Sequence, residues 1–309
     1  MQKQSKIFVA GHKGLVGSAI VRCLQKNGYG NLVLRTSKEL DLRCQADVER
    51  FFDIERPEYV FLAAAKVGGI LANSTYPAEF IYDNLMIEAN IIHAAYQYKV
   101  KKLLFLGSSC IYPRMAQQPI KEEYLLSDYL ETTNEAYAIA KITGIELCKF
   151  YRRQYACDFI SAMPTNLYGI NDNFDLQTSH VLPALIRKFH EAKINYAPHV
   201  SLWGTGTPLR EFMYVDDLAD ALLHLMLHYS DEIHVNVGTG EDLSIAQVAQ
   251  IIKEVVGYEG KIQYDTSKPD GTPRKLLDVS LLNRIGYHYT TPLRKGIEQV
   301  YEWYLQQNK

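Results

Sequence analysis

The strongest constraint on the fold lies near the start of the chain. Four apolar residues, Ile7-Phe8-Val9-Ala10, run into glycines at 11, 14 and 17. A short apolar run bounded by glycine reads as a buried strand, and Ser18 to Gln25 reads as the helix that follows. Strand, glycine turn and helix in that order gather backbone N–H groups at a helix N-terminus, where a pyrophosphate binds well. Gly11, His12, Lys13, Gly14, Leu15, Val16 and Gly17 are the candidates to hold one. Their spacing is G-x-x-G-x-x-G, not the G-x-G-x-x-G of many dinucleotide-binding turns. An ordinary glycine-rich turn is the competing reading.

The segments that follow continue the alternation of strand and helix. Leu32-Val33-Leu34 reads as the second strand. Many NAD enzymes carry an acidic residue near its end for the ribose 2′-hydroxyl. This chain has Arg35-Thr36-Ser37-Lys38 there. With Lys13, those residues suit a 2′-phosphate, so NADP(H) is expected over NAD(H), unless Arg35 is simply solvated. Glu39 to Leu42 is expected as a third strand, with Asp41 and Leu42 near the adenine. A helix is expected from Asp47 to Arg56, helped to a close by Pro57.

Tyr59 to Ala65 reads as a strand ending in Ala63, Ala64 and Ala65. Small side chains there let a cofactor approach the backbone, or let a helix pack tightly. Phe80 to Tyr98 reads as a long helix on which Asn84 and Asn90 face either the site or solvent. Lys102 to Leu106 is a strand, followed by Gly107-Ser108-Ser109-Cys110. A serine at that strand end can hydrogen-bond a substrate carbonyl.

Tyr137 and Lys141, four apart, share one face of a helix that begins near Asn134, a candidate cap. An ammonium beside a phenol stabilises phenolate. The Tyr137 hydroxyl is therefore expected to titrate closer to neutrality than the usual ~10, fit to give or take a proton. With 22 tyrosines in the chain, Tyr-x-x-x-Lys alone says little; its order after the glycine loop and the Ser108 strand end gives it weight.

Together these motifs resemble the extended short-chain dehydrogenase/reductase family, over essentially the whole chain. The resemblance implies a doubly wound parallel α/β sheet with a smaller C-terminal substrate domain. It divides the chain at about 165 into an NADP-binding part (1–165) and a mainly substrate-binding part (166–309). The stretch around 210–240 is expected to return to the first part. The family's Ser-Tyr-Lys group is matched by Ser108, Tyr137 and Lys141. Leu106, Gly107, Pro164, Thr165, Asn166, Leu167 and His180 would border the cofactor, and Asn166 would also contact the sugar.

A finer resemblance, carried by Gly11 to Gly14, Ala63 to Ile70, Gly107 to Pro113, Pro164 to Gly169 and Lys268 to Lys275, is to members acting on GDP-linked 4-keto-6-deoxy sugars. It implies epimerisation at C3 and C5, with Cys110 and His180 as acid and base, then NADPH-dependent reduction at C4. A homodimer is the family expectation. Lys188, Trp203, Arg210 and Asp270 would bind the nucleotide sugar. Alternatives remain for each: Arg187 and Lys188 as a solvated helix face, Trp203 as a core anchor, Arg210 as the ion-pair partner of Glu211, Cys110 as a small buried hydrophobe. A family member using tightly held NAD as a 4-epimerase or dehydratase, and a non-catalytic NADP-binding scaffold, are the rival functions.

Composition excludes little but agrees. A net charge of −2 over 309 residues suggests neither nucleic acid nor membrane as a partner. Five cysteines without framework spacing suit a reducing, cytoplasmic setting. The start lacks the apolar core of a signal peptide, and no metal site is expected.

Overall fold

The computed structural model describes residues 1–176, 178–268 and 270–307. The first part of the chain alternates β1 (Ile7–Ala10), α1 (Leu15–Lys26), β2 (Leu32–Val33), α2 (Gln45–Glu55), β3 (Tyr59–Leu62), α3 (Ile70–Thr75), α4 (Pro77–Gln97), β4 (Lys102–Leu106), α5 (Glu135–Tyr155) and β5 (Phe159–Pro164). The second part runs β6 (Asn166–Tyr168), α6 (Val181–Ile194), β7 (His199–Trp203), β8 (Leu209–Arg210), β9 (Phe212–Tyr214), α7 (Val215–His228) and β10 (Val235–Val237). It ends with β11 (Leu243–Ser244), α8 (Ile245–Val256), β12 (Lys261–Asp265), β13 (Arg274–Lys275), α9 (Ser280–Arg284) and α10 (Leu293–Gln307).

Six strands form one parallel sheet in the order β10-β5-β4-β3-β1-β2. Side chains alternate across a strand, and the two faces follow that rule. Ile7, Val9, Phe61, Leu104 and Ile160 pack against α1 and α7, whereas Phe8, Val60, Leu103, Phe105 and Phe159 pack against α2, α4 and α5. Both faces are covered, so these strands read as unbroken apolar runs. A third cluster joins α6, α8 and α10 through Leu185, Ile186, Phe189, Val248, Ile252 and Val300. Three small sheets, β11-β8-β13, β12-β7 and β6-β9, edge that cluster.

The third strand expected at Glu39 to Leu42 does not form. The backbone N–H and hydroxyl of Thr36 donate to the Glu39 carboxylate at 2.7 and 2.8 Å, and the Leu40 N–H donates to the Thr36 carbonyl. Those bonds close a turn, and the sheet edge remains β2. Segment 215–237 packs with the large sheet: α7 lies on α1, where Arg22 pairs with Asp216, and β10 pairs with β5. Among the described residues no helix is long and apolar enough to cross a membrane.

Candidate active site

Strand order reverses about β1 and β3, and the crevice outside the carboxyl ends of such strands is where open α/β sheets bind ligands. Gly11 and Ala63 to Ala65 stand at those two ends. Gly11 has φ +86°, and a Cβ on it would lie 2.8 Å from the Ala64 backbone. A Cβ on Gly17 would lie 2.0 Å from the Gly11 carbonyl oxygen. The loop therefore lies close against both β3 and α1. No side chain caps α1, and its first turn holds no acidic residue. Its N–H groups and positive dipole end remain available to an anion. The His12 Nδ1 is buried with no partner, and burial with Lys13 nearby lowers its pKa.

The residues expected to choose the cofactor divide. Arg35 is tied to Glu55 at 2.5 Å and donates to its neighbour's carbonyl at Leu34. Lys13 and Lys38 are exposed and form no ion pair among the described residues. Ser37 is exposed beside Lys38. The Asp41 carboxylate is engaged by Arg43 at 2.8–2.9 Å, and Leu42 packs on the sheet. Asn84 and Asn90 do not face solvent. Asn84 is fully buried, accepting from the Lys66 N–H and donating to the Lys66 and Phe80 carbonyls; Asn90 donates to the Leu42 carbonyl.

At the end of β4, Ser108 opens a single 3-10 turn, Ser109–Ile111, and its hydroxyl accepts from the Cys110 N–H at 3.4 Å. The Gly107 position admits no side chain, because a Cβ would lie 2.2 Å from the Met163 sulfur. Tyr137 lies in the first turn of α5, edge-on to Phe80 with centroids 6.4 Å apart. Asn134 takes the cap position of α5 but makes no cap bond with its side chain.

Lys141 is where the structure departs from expectation. Its ammonium is 2.9 Å from the Glu88 carboxylate, donates to the Leu106 carbonyl at 3.0 Å, and lies 4.7 Å from the Phe105 ring centroid. It lies 5.8 Å from the Tyr137 ring centroid. Burial raises the Tyr137 hydroxyl pKa well above its usual value, and Cys110 and Glu88 add to the rise. The expected fall towards neutrality does not occur, because burial disfavours the phenolate and the nearby Cys110 and Glu88 add to that. Tyr137 is thus a protonated phenol at neutral pH, the form a proton donor needs.

Cys110 is buried. Burial raises its thiol pKa, and Lys275, Ser108 and Lys141 work against that rise. His180 precedes α6 at its cap position, and desolvation with Lys275 nearby lowers its pKa. The residue is exposed at the surface even though its surroundings are crowded. At neutral pH the two offer a thiol and a neutral imidazole, one proton donor and one acceptor.

Downstream of β5, Thr165 donates its N–H to the Val237 carbonyl, and the Asn166 amide donates to the Glu211 carbonyl at 2.8 Å. Pro164 closes β5, and Leu167 pairs with Met213. Arg210 does not pair with Glu211. The Glu211 carboxylate is wholly buried and accepts from the backbone N–H groups of Thr239, Gly240 and Leu277 at 2.6, 2.8 and 3.0 Å. Arg210 is half-buried, has no carboxylate partner among the described residues, and desolvation lowers its pKa.

Trp203 is 67% exposed, which rules out a core anchor. Lys188 and Lys268 lie 5.9 and 5.6 Å from its ring centroid, and a surface groove of about 380 Å³ opens beside it. Arg187 turns away to Glu191 at 2.7 Å and lines a separate groove with Phe174 and Trp303. Asp270 accepts from the Thr205 N–H and hydroxyl at 2.7 and 2.8 Å, latching its loop to the Gly204–Thr207 turn. Of the loop resembling a substrate cover, Pro269 lies outside the described residues.

Three residues went unsingled in the sequence. Glu88 falls on the buried stripe of α4 with Asn84, Ile91 and Ala95, and a charge on such a stripe is a readable signal. Lys275 closes the polar loop that begins at Lys268; its partial burial beside Cys110 and His180 could not be read from composition. Glu211 was seen only as a neighbour of Arg210. Among the described residues no group of three or more His, Cys, Asp or Glu could hold a metal ion.

The family model described as "NAD dependent epimerase/dehydratase family" matches residues 7–238. GDP-L-fucose synthase 1 of Arabidopsis thaliana is 62% identical over 98% of this chain and 94% of its own. GDP-L-fucose synthase of Escherichia coli K12 is 56% identical over 99% and 98%. A solved GDP-L-fucose synthetase of Naegleria fowleri, bound to NADP, superposes with a TM-score of 0.92 at 33% identity, covering 100% and 96% of the two chains.

Proposed function

We propose a function from one premise: the chain belongs to the NAD dependent epimerase/dehydratase family. It is an NADP-dependent epimerase and reductase that converts GDP-4-keto-6-deoxy-D-mannose to GDP-L-fucose. What supports the residue roles is that two sets of groups lie within electrostatic reach of one another. Ser108, Tyr137 and Lys141 form one set; Cys110, His180 and Lys275 form the other.

NADPH fits the first crevice. Gly11 to Gly17 and the uncapped α1 would hold its pyrophosphate, and Lys13, Arg35, Ser37 and Lys38 its 2′-phosphate. Asp41, Leu42 and Ala63 to Ala65 would line the adenosine side. Leu106, Gly107 and Pro164 to Leu167 would line the other end. When bound, this cofactor supplies the hydride for C4.

The protein's own part begins with the C4 oxygen. Protons on C3 and C5 are acidic because the carbanion spreads onto that oxygen, and Ser108 and Tyr137 donate hydrogen bonds to the enolate so formed. Cys110 and His180 remove and return protons at the flanking carbons. Tyr137, protonated, then gives its proton to the C4 oxygen as the ketone is reduced. Lys188, Trp203, Arg210 and Asn166 bind the nucleotide sugar, with Arg210 free for a phosphate. Asp270 acts mainly by holding the turn that presents Trp203.

Residues 1–165 with 215–237 carry the cofactor, and the remainder mainly carries the substrate. The enzyme is a cytoplasmic homodimer; exposed Tyr82 on α4 and Ile139, Phe150 and Tyr155 on α5 support an apolar contact between copies. The test supplies GDP-4-keto-6-deoxy-D-mannose with NADPH or NADH and reads the product by mass spectrometry and NMR. GDP-L-fucose with NADPH preferred is expected. A C4 epimer or a dehydrated product formed without net NADPH oxidation would replace this reading with its NAD-dependent rival.

A further inference from the structure

Glu88 is a carboxylate inside the α4–α5 interface, and the reaction as described does not use it. Its side chain is 1% exposed, and that of its partner Lys141 is 2% exposed. Beyond the Lys141 ammonium at 2.9 Å, its one ion pair, neither carboxylate oxygen has a hydrogen-bond partner among the described residues. A buried charge is costly unless paired, so a carboxylate kept here with a single partner has to be explained by that partner. Lys141 in turn donates to the Leu106 carbonyl, two residues before Ser108. One ammonium thus ties α4, the end of β4 and the helix that carries Tyr137.

We propose that Glu88 is a positioning residue for the C4 reduction: by fixing and offsetting the Lys141 ammonium, it holds the Ser108 strand end and Tyr137 in working register. The proposal rests on the function given above and adds a residue to its machinery.

The electrostatics agree with the geometry. Besides burial, Cys110 on the turn after β4 and Glu88 on α4 act on Tyr137, and the Lys141 ammonium on α5 lies 5.8 Å from its ring centroid. Lys275 on β13 faces Cys110 and His180, and Cys148 on α5 faces Glu88. Burial pushes the Glu88 carboxyl up, and the adjacent ammonium works against that. Burial chiefly keeps Tyr137 protonated across neutral pH, and the Glu88 charge adds to that. With the carboxylate gone, the same ammonium faces Tyr137 uncompensated.

Glu88→Gln keeps volume and an acceptor but removes the charge. Two readings test it against wild type: the pH profile of kcat/KM for NADPH-dependent reduction, and the titration of the Tyr137 ring in protein labelled with ¹³C at tyrosine Cζ, assigned with Tyr137→Phe. An opposite charge moves a neighbouring pKa by about 1–3 units. The alkaline limb and the Tyr137 titration should both move down by that amount, with NADPH affinity by fluorescence unchanged. Superimposable profiles and titrations would overturn the proposal. If Glu88→Gln does not fold, Glu88→Asp decides. It keeps the charge but shortens the reach, so kcat should fall several-fold while KM for NADPH and the alkaline limb stay in place. An unchanged kcat in that variant would overturn the proposal. Wild-type reduction, measured alongside, reports separately on the function itself.

Discussion

The strand ends that carry Ser108 and Tyr137 and the small sheets that carry Trp203 and Arg210 treat their cations in opposite ways. On the first side, Lys141 is sealed from water with a carboxylate and a carbonyl on it. On the second, Arg210 and Lys188 have no carboxylate partner among the described residues, and Trp203 stands mostly in solvent. The first arrangement fixes a side chain before anything binds, which suits proton transfer over short distances. The second leaves positive charge unanswered, which suits a ligand that brings negative charge of its own. Position is maintained by protein contacts in one region and completed by the substrate in the other.

The largest break in that comparison should come from the buried side. Tyr137→Phe keeps the ring packed on Phe80 and removes the proton donor, so NADPH oxidation should fall by at least about 10²-fold while cofactor binding persists. Near-normal reduction would sink the mechanism. Cys110→Ser and His180→Gln should lower C3 and C5 exchange with heavy water by a similar about 10² or more. Full exchange and normal fucose configuration in both variants would return them to structural roles.

Next comes a pH effect on the buried side. Behind the Ser108 turn, Tyr112 contacts both His234 and Asn236. Burial lowers the His234 pKa to about 4. A histidine kept neutral in the fold but titrating near 6.5 when unfolded binds more protons in the unfolded state between those values. Its contribution is therefore present above about pH 6.5 and is lost as pH falls towards 4, at most about 3 kcal/mol. Denaturant unfolding at pH 7 and 4.5 reads this. His234→Gln should show a smaller loss than wild type, and equal losses would remove His234 as the cause.

A smaller effect belongs to the open side. Arg210→Ala should raise KM for the nucleotide sugar roughly 10–150-fold, the value of about 1.5–3 kcal/mol for a charge-assisted contact, with little change in NADPH affinity. Loss of NADPH affinity instead would place Arg210 in the wrong half of the comparison. The smallest effect concerns cofactor choice. Arg35 already has Glu55, so Arg35→Ala should cost NADPH only a few-fold over NADH, on the scale of about 1 kcal/mol or less for a partly exposed ion pair. Lys13→Ala and Lys38→Ala should cost about as much each. A selective loss above roughly 10-fold in Arg35→Ala would show that Arg35 leaves Glu55 for the phosphate.

Much of this was legible in the chain because it is local. An apolar run, three glycines and a helix specify the β1–α1 turn within the twenty residues from Ile7 to Lys26, and helical spacing alone puts Tyr137 and Lys141 on one face. Local polarity misled at Glu39 to Leu42, where a side chain bonds a nearby backbone group and makes a turn instead of a strand. Arg210 beside Glu211 was another ambiguity of neighbours: adjacent residues on an extended segment point to opposite sides, so sequence proximity gave no pairing.

What the sequence determined by itself was the order of strands, turns and helices, and the set of acids, bases and cations that order could carry. Only the tertiary structure decided which charges remain free. Glu88 and Lys141 are 53 positions apart, Arg35 and Glu55 twenty, and Cys110 and Lys275 more than 160. Their meeting is set by how helices and loops pack on the sheet. Electrostatic energy depends on distance and on burial, and neither can be read along the chain; so the sequence supplied Tyr137 and its lysine, and the fold supplied the burial, with Cys110 and Glu88 nearby, that keeps the tyrosine protonated.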